Sequence, residues 1–462
     1  ATYNLQAGQR AQREYANEAA ISANQKALQA AEKLETPEQV NDAAFSAHET
    51  LGEVYTLVGQ YDQAIEHFVG ALDIVDAIPP ADNQIIHKAD LHRKIAEVYE
   101  RRSEFDIAFD WLGRGIAFLV KSGPTIVAAR ARMLGGGIYR RLGKLEDAIK
   151  WCEESLGIAT RIDTREGAKA VAHANYSLSG IYWRLGDLEK ALELSRESLR
   201  IYTDIEDVIG QARAYTNLSN AFADLGDWDR AMQALEQSLE INERIGNIVS
   251  TGFVTNNMAT IHLDRGEWDK AHELFIISRD IWVRLGAAMQ EAITLSNLAQ
   301  VYIYQGNWPE AEASLVESKH IFKTLGSEDY LPEVERRWAE LYLRTGNLEG
   351  ACSHALQSTE LASALEARLD LGIAFRVLGE IHLTKEDLEQ AEMSLERSVR
   401  ILRDLESDYE AAKVSIPLAA LAKAQGEDVN HEELLEARRT FERLGAQYDL
   451  QRIREILEES GE

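Results

Sequence analysis

The feature that most constrains the fold of this chain is a motif that returns every 40 residues. Each copy has an Asn followed by Leu or Met, a Gly nine residues after the Asn, and a Trp and an Ala shortly after the Gly. In residues 213–306 three copies follow one another, with their glycines at Gly226, Gly266 and Gly306. Such a period marks a repeat architecture, because a unit of that size cannot bury its apolar face alone. The sequence therefore predicts a stack of repeats.

The turn residue of the motif can be followed along nearly the whole chain. Successive turn positions are 40 to 44 residues apart. They fall at Tyr15, Gly59, Ser103, Gly143, Gly186, Gly226, Gly266, Gly306, Gly346, Glu386 and Gly426. Gly is expected where a chain leaves a helix with a positive φ angle. At Ser103 and Glu386 we therefore expect turns that are longer or capped in a different way.

The residues around each turn predict two antiparallel helices per repeat. Before the turn, apolar residues recur at helical spacing, as at Leu218, Phe222 and Leu225. A small residue seven positions before most turns and an Ala five positions after them would let the two helices approach closely. The expected fold is all-α, an α-solenoid of about ten helix pairs.

The small and aromatic residues before the turn and the Ala after it resemble the tetratricopeptide repeat, and the resemblance covers nearly the whole chain. The 40-residue period is similar to the longer-helix variety of that family. This resemblance implies a right-handed superhelix whose first helices line an inner groove. On this basis residues 1–426 are predicted to form the solenoid. Residues 427–462 are predicted to form capping helices continuous with it, because the apolar end of a stack needs a polar cover.

Two short motifs near the ends of the chain resemble another group of proteins. They are Leu-Gln-Ala-Gly-Gln-Arg-Ala at residues 5–11 and Ala-Arg-Arg-Thr-Phe-Glu-Arg-Leu-Gly-Ala at residues 437–446. Both are similar to the C-terminal tetratricopeptide arrays of bacterial signal-transducing (STAND-type) ATPases. That resemblance implies an ATPase domain that precedes Ala1 in the same polypeptide. It also implies an alternative function, the sensor of a larger signalling ATPase or transcription regulator, which binds a small molecule such as a sugar or nucleotide.

The charge of the chain narrows the classes of partner. Asp and Glu number 77 against 49 Lys and Arg, and the net charge is −28. Nucleic acids and anionic membranes bind basic surfaces, so neither is expected as a partner. The sequence has no run of eighteen apolar residues, and its first twenty residues lack the apolar core of a signal peptide. We therefore expect a cytoplasmic protein in which Cys152 and Cys352 are buried free thiols.

No catalytic or metal-binding pattern stands out in the sequence. The chain lacks a Gly-rich phosphate loop, and the three glycines at residues 135–137 fall within a repeat helix, where small residues serve packing. His431 is followed by two Glu residues but lacks the second His of a zinc-binding helix. We expect no enzymatic activity, no metal site and no cofactor.

Polar residues on the inner face of the first helices form the candidate binding surface. Residues thirteen, nine, six and two positions before the turn share that face, because intervals of four, three and four keep side chains on one side of a helix. In three consecutive repeats the candidates, with one neighbour, are Arg213, Asn217 and Asn220, then Phe253, Asn256, Asn257 and Thr260, then Asn297, Gln300 and Tyr304. Upstream they are Tyr176, Trp183 and Arg184, and downstream Arg336 and Arg337.

Three asparagines at one register indicate the kind of ligand. An amide side chain can pair with both the N–H and the C=O of an extended peptide, whatever its sequence. Peptide-binding members of the resembled family use Asn at matching positions in this way. Asn217, Asn257 and Asn297 would therefore hold a peptide or a partner's helix, while the arginines pair with acidic groups and the aromatic residues add apolar contact. The alternative is that the asparagines only bond one repeat to the next.

Overall fold

The computed structural model describes residues 2–13, 17–31, 37–77, 82–120 and 122–459, and within these residues it contains helices and no strands. The turn position predicted at Tyr15 lies outside the described residues. The helices are α1 (Thr2–Arg13), α2 (Asn17–Ala31), α3 (Pro37–Leu57), α4 (Tyr61–Asp76), α5 (Asp82–Arg101), α6 (Phe105–Leu119), α7 (Ile126–Arg141), α8 (Leu145–Ala159), α9 (Arg165–Arg184), α10 (Leu188–Asp204), α11 (Val208–Asp224), α12 (Trp228–Arg244), α13 (Ile248–Asp264), α14 (Trp268–Leu285), α15 (Ala288–Gln305), α16 (Trp308–Leu325), α17 (Leu331–Thr345), α18 (Leu348–Ala364), α19 (Arg368–Thr384), α20 (Leu388–Asp404), α21 (Asp408–Gln425), α22 (His431–Leu444) and α23 (Gln447–Glu459). The prediction of an all-α solenoid of helix pairs is confirmed.

The chain divides into two compact units, residues 1–210 and residues 211–462. In the first unit each helix packs against the next one, and α7 also contacts both α5 and α9. In the second unit α13, α15, α17, α19 and α21 contact one another in the same stepwise way. The first helices of successive pairs therefore lie side by side within each unit, as a solenoid requires.

The turns inside the repeats share one backbone conformation, whichever residue occupies them. The φ angle is 71° at Gly226, 62° at Ser103 and 59° at Glu386. In all three turns the next residue donates its backbone N–H to the carbonyl five residues earlier, over 2.8–3.0 Å. The prediction of longer or differently capped turns at Ser103 and Glu386 was therefore wrong. These hydrogen bonds fix the turn even though a left-handed conformation costs a non-Gly residue about 1–2 kcal/mol.

A buried serine in the second helix joins the two helices of many repeats. Its hydroxyl donates a hydrogen bond to a backbone carbonyl of the first helix, 26 residues earlier, over 2.7–3.0 Å. These serines are Ser155, Ser198, Ser238, Ser278, Ser318, Ser358 and Ser398, and each is at most 1% exposed. Small residues serve the same close packing, since a Cβ atom added at Gly379 would lie 2.6 Å from the Leu395 side chain.

The two cysteines are free but differ in burial. Cys152 is buried, as predicted, whereas Cys352 is only half-buried. The prediction for Cys352 was wrong because this residue follows the fully buried Ala351 and lies at the edge of the packed face of α18. Among the described residues, no helix is long and apolar enough to cross a bilayer, and no group of three His, Cys, Asp or Glu side chains is placed to hold a metal ion.

Candidate functional site

Most of the predicted binding residues lie on α11, α13 and α15 in the second unit. Arg213 and Phe253, thirteen positions before their turns, are exposed, and 45% of Phe253 is accessible. The half-buried candidates of this surface are Asn217, Asn220, Asn256, Asn257, Thr260, Asn297 and Tyr304. Gln300 is buried. On α13 the exposure of this inner face therefore decreases after Phe253 toward the C-terminal end of the helix.

The asparagines make contacts between neighbouring helix pairs. Asn257 donates its Nδ2–H to the Oδ1 of Asn220 over 3.4 Å, and Asn256 accepts a hydrogen bond from α15 over 3.3 Å. The Oδ1 of Asn297 accepts a hydrogen bond from Arg337 over 2.8 Å. These bonds fit the inter-repeat alternative. An amide nevertheless has two donor hydrogens and an acceptor oxygen with two lone pairs, so the long bond of Asn257 leaves capacity for a ligand.

Arg336 and Arg337 on α17 lie inside the second unit rather than on an exposed basic surface. Only 4% of Arg337 is accessible, and its guanidinium also donates to Ser296 over 2.6 Å and to Glu333 over 2.5 Å. Arg336 donates to Glu340 over 3.0 Å. Both guanidinium groups therefore pair with carboxylates of the protein itself.

These arginines belong to an ion network on the inner face of α17, α19 and α21. Arg376 donates to Glu380 over 2.9 Å, and a second nitrogen lies 3.7 Å from Glu410. Burial by itself would raise the pKa of the Glu340 carboxyl, but Arg336 and Arg376 outweigh it and lower the pKa to about 2. Glu340 is therefore ionised at neutral pH, and its charge is balanced within the unit.

The last helix, α23, covers the C-terminal ends of α13, α15 and α17. The ring of Tyr448 lies 5.2 Å from that of Trp268 and 5.5 Å from that of Tyr304, measured between centroids. Its hydroxyl accepts a hydrogen bond from Arg344 over 3.2 Å. Tyr304, predicted to contact a ligand, is thus packed against the protein's own C-terminal helix. In the N-terminal halves of α11 and α13 the inner face is open at Arg213 and Phe253.

The predicted residues of the first unit lie on α9, and one of them lines a groove. This groove of about 610 Å³ lies between α5, α7 and α9. Tyr176 forms part of its wall, where the ring stacks on His173 at a centroid distance of 6.2 Å. Trp183 and Arg184 lie nearer the C-terminal end of α9 and are not among the residues that line it.

The sequence analysis missed the contribution of α5 to this groove. Arg93, Glu97 and Arg101 line it, and they stand ten, six and two positions before Ser103. Positions six and two before the turn are the ones that selected candidates in other repeats. Counted back from Ser103, which the sequence already marks as a turn residue, the same register finds Glu97 and Arg101.

Family models of the tetratricopeptide repeat match residues 47–79, 129–161, 170–244, 251–323 and 330–404. Comparison with curated proteins gave no match. The resemblance of the chain ends to the arrays of signal-transducing ATPases, and the sensor function that it implies, remain predictions.

Several solved structures are similar in fold. The apo form of RapI is 12% identical with a TM-score of 0.61, and the alignment covers 78% of this chain and 98% of that one. A Rap protein complexed with Competence and Sporulation Factor is 14% identical, with a TM-score of 0.58 and the same two coverages of 78% and 98%. The Rap conjugation gene regulator of plasmid pLS20, in complex with the Phr* peptide, is 13% identical, with a TM-score of 0.53 and coverages of 78% and 95%. At identities this low, the similarity between these structures shows a shared fold alone.

Proposed function

Because the chain belongs to the tetratricopeptide repeat family, we propose that it is a non-enzymatic interaction scaffold that binds an extended peptide or a partner's helix. The observation that carries the proposal is the row of half-buried asparagines at one register of α11, α13 and α15. A row of amides across neighbouring helices can follow the backbone of a ligand that runs across those helices.

The open half of the inner face defines where this ligand would lie. The C-terminal ends of α13 and α15 are covered by α23, whereas Arg213 and Phe253 near the N-terminal ends are exposed. Asn217, Asn257 and Asn297 lie between these two zones. The ligand would therefore run across the N-terminal halves of the helices, with the amides on its backbone, Arg213 near an acidic group and Phe253 against an apolar side chain.

A similar structure supports a peptide as the ligand. The Rap regulator of plasmid pLS20 was solved in complex with the Phr* peptide and shares the fold of this chain at a TM-score of 0.53. The same fold in that protein accommodates a peptide. We extend this property to the present chain as part of the proposal, because its asparagine row has the chemistry that an extended backbone requires.

The test uses the protein purified from its own host and examined by native mass spectrometry. The wild type is expected to retain a peptide, and the triple variant Asn217→Ala, Asn257→Ala and Asn297→Ala is expected to lose it. Its free energy of unfolding should change by no more than about 1 kcal/mol, because the gain in helix propensity offsets the lost hydrogen bonds.

Asn307→Ala is the matched control, since Asn307 is an exposed turn residue whose side chain makes no capping bond. This control should retain the peptide. A triple variant that retains the peptide as the wild type does, or that loses several kcal/mol of stability, would show that the asparagines serve only the contacts between repeats.

A further inference from the structure

The groove of the first unit lies between α5, α7 and α9 and contains none of the asparagines discussed above. We propose that it is a second binding site, and that its ligand is an acidic, extended peptide segment. The site goes beyond the proposed function, because it stands on its own residues and does not depend on the asparagine row.

The shape of the groove fits an elongated ligand. It crosses three helices, of which α7 contacts both α5 and α9. Packed helices lie about 8–10 Å apart, so the groove extends for about 20 Å from the first axis to the third. An extended chain advances about 3.3 Å per residue, and about six residues therefore span it. The volume of about 610 Å³ leaves room for several of their side chains.

The lining of the groove has an excess of cations in a chain whose net charge is −28. Its walls hold four arginines and two glutamates. These are Arg93, Arg101, Arg130, Arg140, Glu97 and Glu100. A ligand that carries carboxylates restores the balance of charge, and arginine binds carboxylates in a bidentate geometry.

Three of these arginines form ion pairs with carboxylates of the protein, and Arg140 does not within the part of the chain that the structure describes. Arg93 is paired within the protein, since it donates to Asp90 over 2.7 Å and to Glu97 over 3.0 Å. Arg101 reaches the same Glu97 over 3.3 Å, which leaves one carboxylate shared by two guanidinium groups. Among the described residues Arg140 forms no ion pair. It is therefore the first partner for a carboxylate of the ligand.

The last arginine, Arg130, is held by a weak pair. It donates to Glu166 over 2.9 Å, and 52% and 58% of the two side chains are exposed. Ion pairs as exposed as this one contribute at most about 1 kcal/mol. A carboxylate of the ligand can therefore replace Glu166.

The floor of the groove is apolar and neutral. Met133 and Leu134 lie there, and the Tyr176 ring forms one wall. Burial raises the pKa of the Cys152 thiol to about 12, so the thiol is uncharged at neutral pH. Side chains of an extended segment alternate between two sides. A sequence in which acidic and apolar residues alternate would thus place carboxylates on the arginines and apolar side chains on the floor.

Gly137 offers a way to fill the groove without disturbing the fold. It lies on α7 and lines the groove, and a Cβ atom added there would meet no heavy atom within 4 Å. Gly157 has the same free space but is exposed on α8, outside the groove. Gly137→Leu and Gly157→Leu are therefore matched variants, and both replace a helical Gly by a better helix former.

The experiment measures fluorescence anisotropy of a labelled hexapeptide of alternating Glu and Leu, titrated with the protein of residues 1–462. We expect binding that weakens as salt is added, because the contacts are ionic. Gly137→Leu should weaken it about tenfold or more, the cost of filling the groove with one side chain, and Gly157→Leu should leave it within about twofold. Arg140→Gln should weaken binding and reduce its salt dependence, whereas Arg114→Gln on α6 should change neither.

Several outcomes would overturn the proposal. One is a hexapeptide of alternating Lys and Leu that binds as tightly as the Glu peptide. Others are a Gly137→Leu protein that keeps its circular dichroism spectrum and binds like the wild type, and the lack of any binding to the Glu peptide. The triple asparagine variant keeps its affinity for this probe if the site is separate. If the experiment on the asparagine row contradicts the proposed function, the proposal for this groove is unaffected, and the reverse also holds.

Discussion

At the scale of single residues, the buried serine of the second helix joins the two helices of seven pairs, α7/α8 to α19/α20, through one hydrogen bond each. Ser278 is fully buried and donates to the carbonyl of Gly252 over 3.0 Å. We predict that Ser278→Ala lowers the free energy of unfolding by about 1 kcal/mol, the net value of one buried hydrogen bond. Chemical denaturation monitored by circular dichroism measures this change. Ser353→Ala, at an exposed position of α18, is the control and should have almost no effect.

A second residue-scale prediction concerns Asp264 on the inner face of the second unit. Burial raises the pKa of this carboxyl to about 7 from the ordinary 3.8, and Glu410 and Asp449 add to the rise while Lys413 and Arg337 oppose it. The folded state therefore keeps a proton that the unfolded state has already released. Stability is lost as the pH rises from about 4 through 7.

Asp264→Asn removes this contribution, because an amide does not titrate in that range. The stability of the variant relative to the wild type should grow by about 1–3 kcal/mol between pH 5 and pH 8. Urea denaturation at a series of pH values gives this difference, in which the titration of the other groups cancels. Asp224→Asn, an exposed carboxyl at the same register of α11, is the control. A difference that stays constant with pH would mean that Asp264 titrates like an exposed carboxyl.

At the scale of elements, Tyr448 is one of the side chains that hold α23 on the inner face of the second unit. Tyr448 contacts Trp268, Tyr304 and Arg344, which belong to or follow three different first helices. We predict that Tyr448→Ala lowers the local opening free energy of α23 by about 2 kcal/mol, since a partly buried aromatic ring and a hydrogen bond are lost.

Hydrogen exchange measured by mass spectrometry would follow this opening. Exchange should accelerate in residues 447–459 and at the C-terminal ends of α13, α15 and α17, while the outer helices keep their rates. Tyr3→Ala is the control, because 82% of Tyr3 is exposed. Unchanged exchange in α23 of the Tyr448→Ala protein would mean that other contacts hold this helix in place.

At the scale of the whole molecule, two compact units predict unfolding in more than one step. Residues 1–210 and residues 211–462 each have their own contacts, and a solenoid adds its stability repeat by repeat. Scanning calorimetry should give a calorimetric enthalpy larger than the van't Hoff enthalpy. Fragments that divide the chain in the turn before α11, residues 1–206 and 207–462, should each show cooperative thermal unfolding. A single transition with equal enthalpies would contradict this prediction.

The sequence by itself determined the repeat, the helix pairs and the all-α fold. These depend on spacing within about 40 residues, which a periodic pattern records directly. The register of the inner face could be read in part, since His173 and Ser177, thirteen and nine positions before Gly186, line the groove of the first unit. The positive φ angles could be predicted from the sequence only in part. Glycines mark most of the turns, but the residue types Ser103 and Glu386 do not reveal the backbone hydrogen bonds that give these two turns the same conformation.

Only the tertiary structure decided which parts of the inner face are open. The hydroxyl of Tyr448 meets Arg344, 104 residues away, and that of Tyr409 meets the carbonyl of Asp264, 145 residues away. No repeat period encodes contacts between residues so far apart. For the same reason Arg337 looked like an available cation in the sequence and is a buried partner of Glu333 in the structure. The exposure of a side chain depends on the tertiary structure, because helices that are distant in the sequence can pack over it.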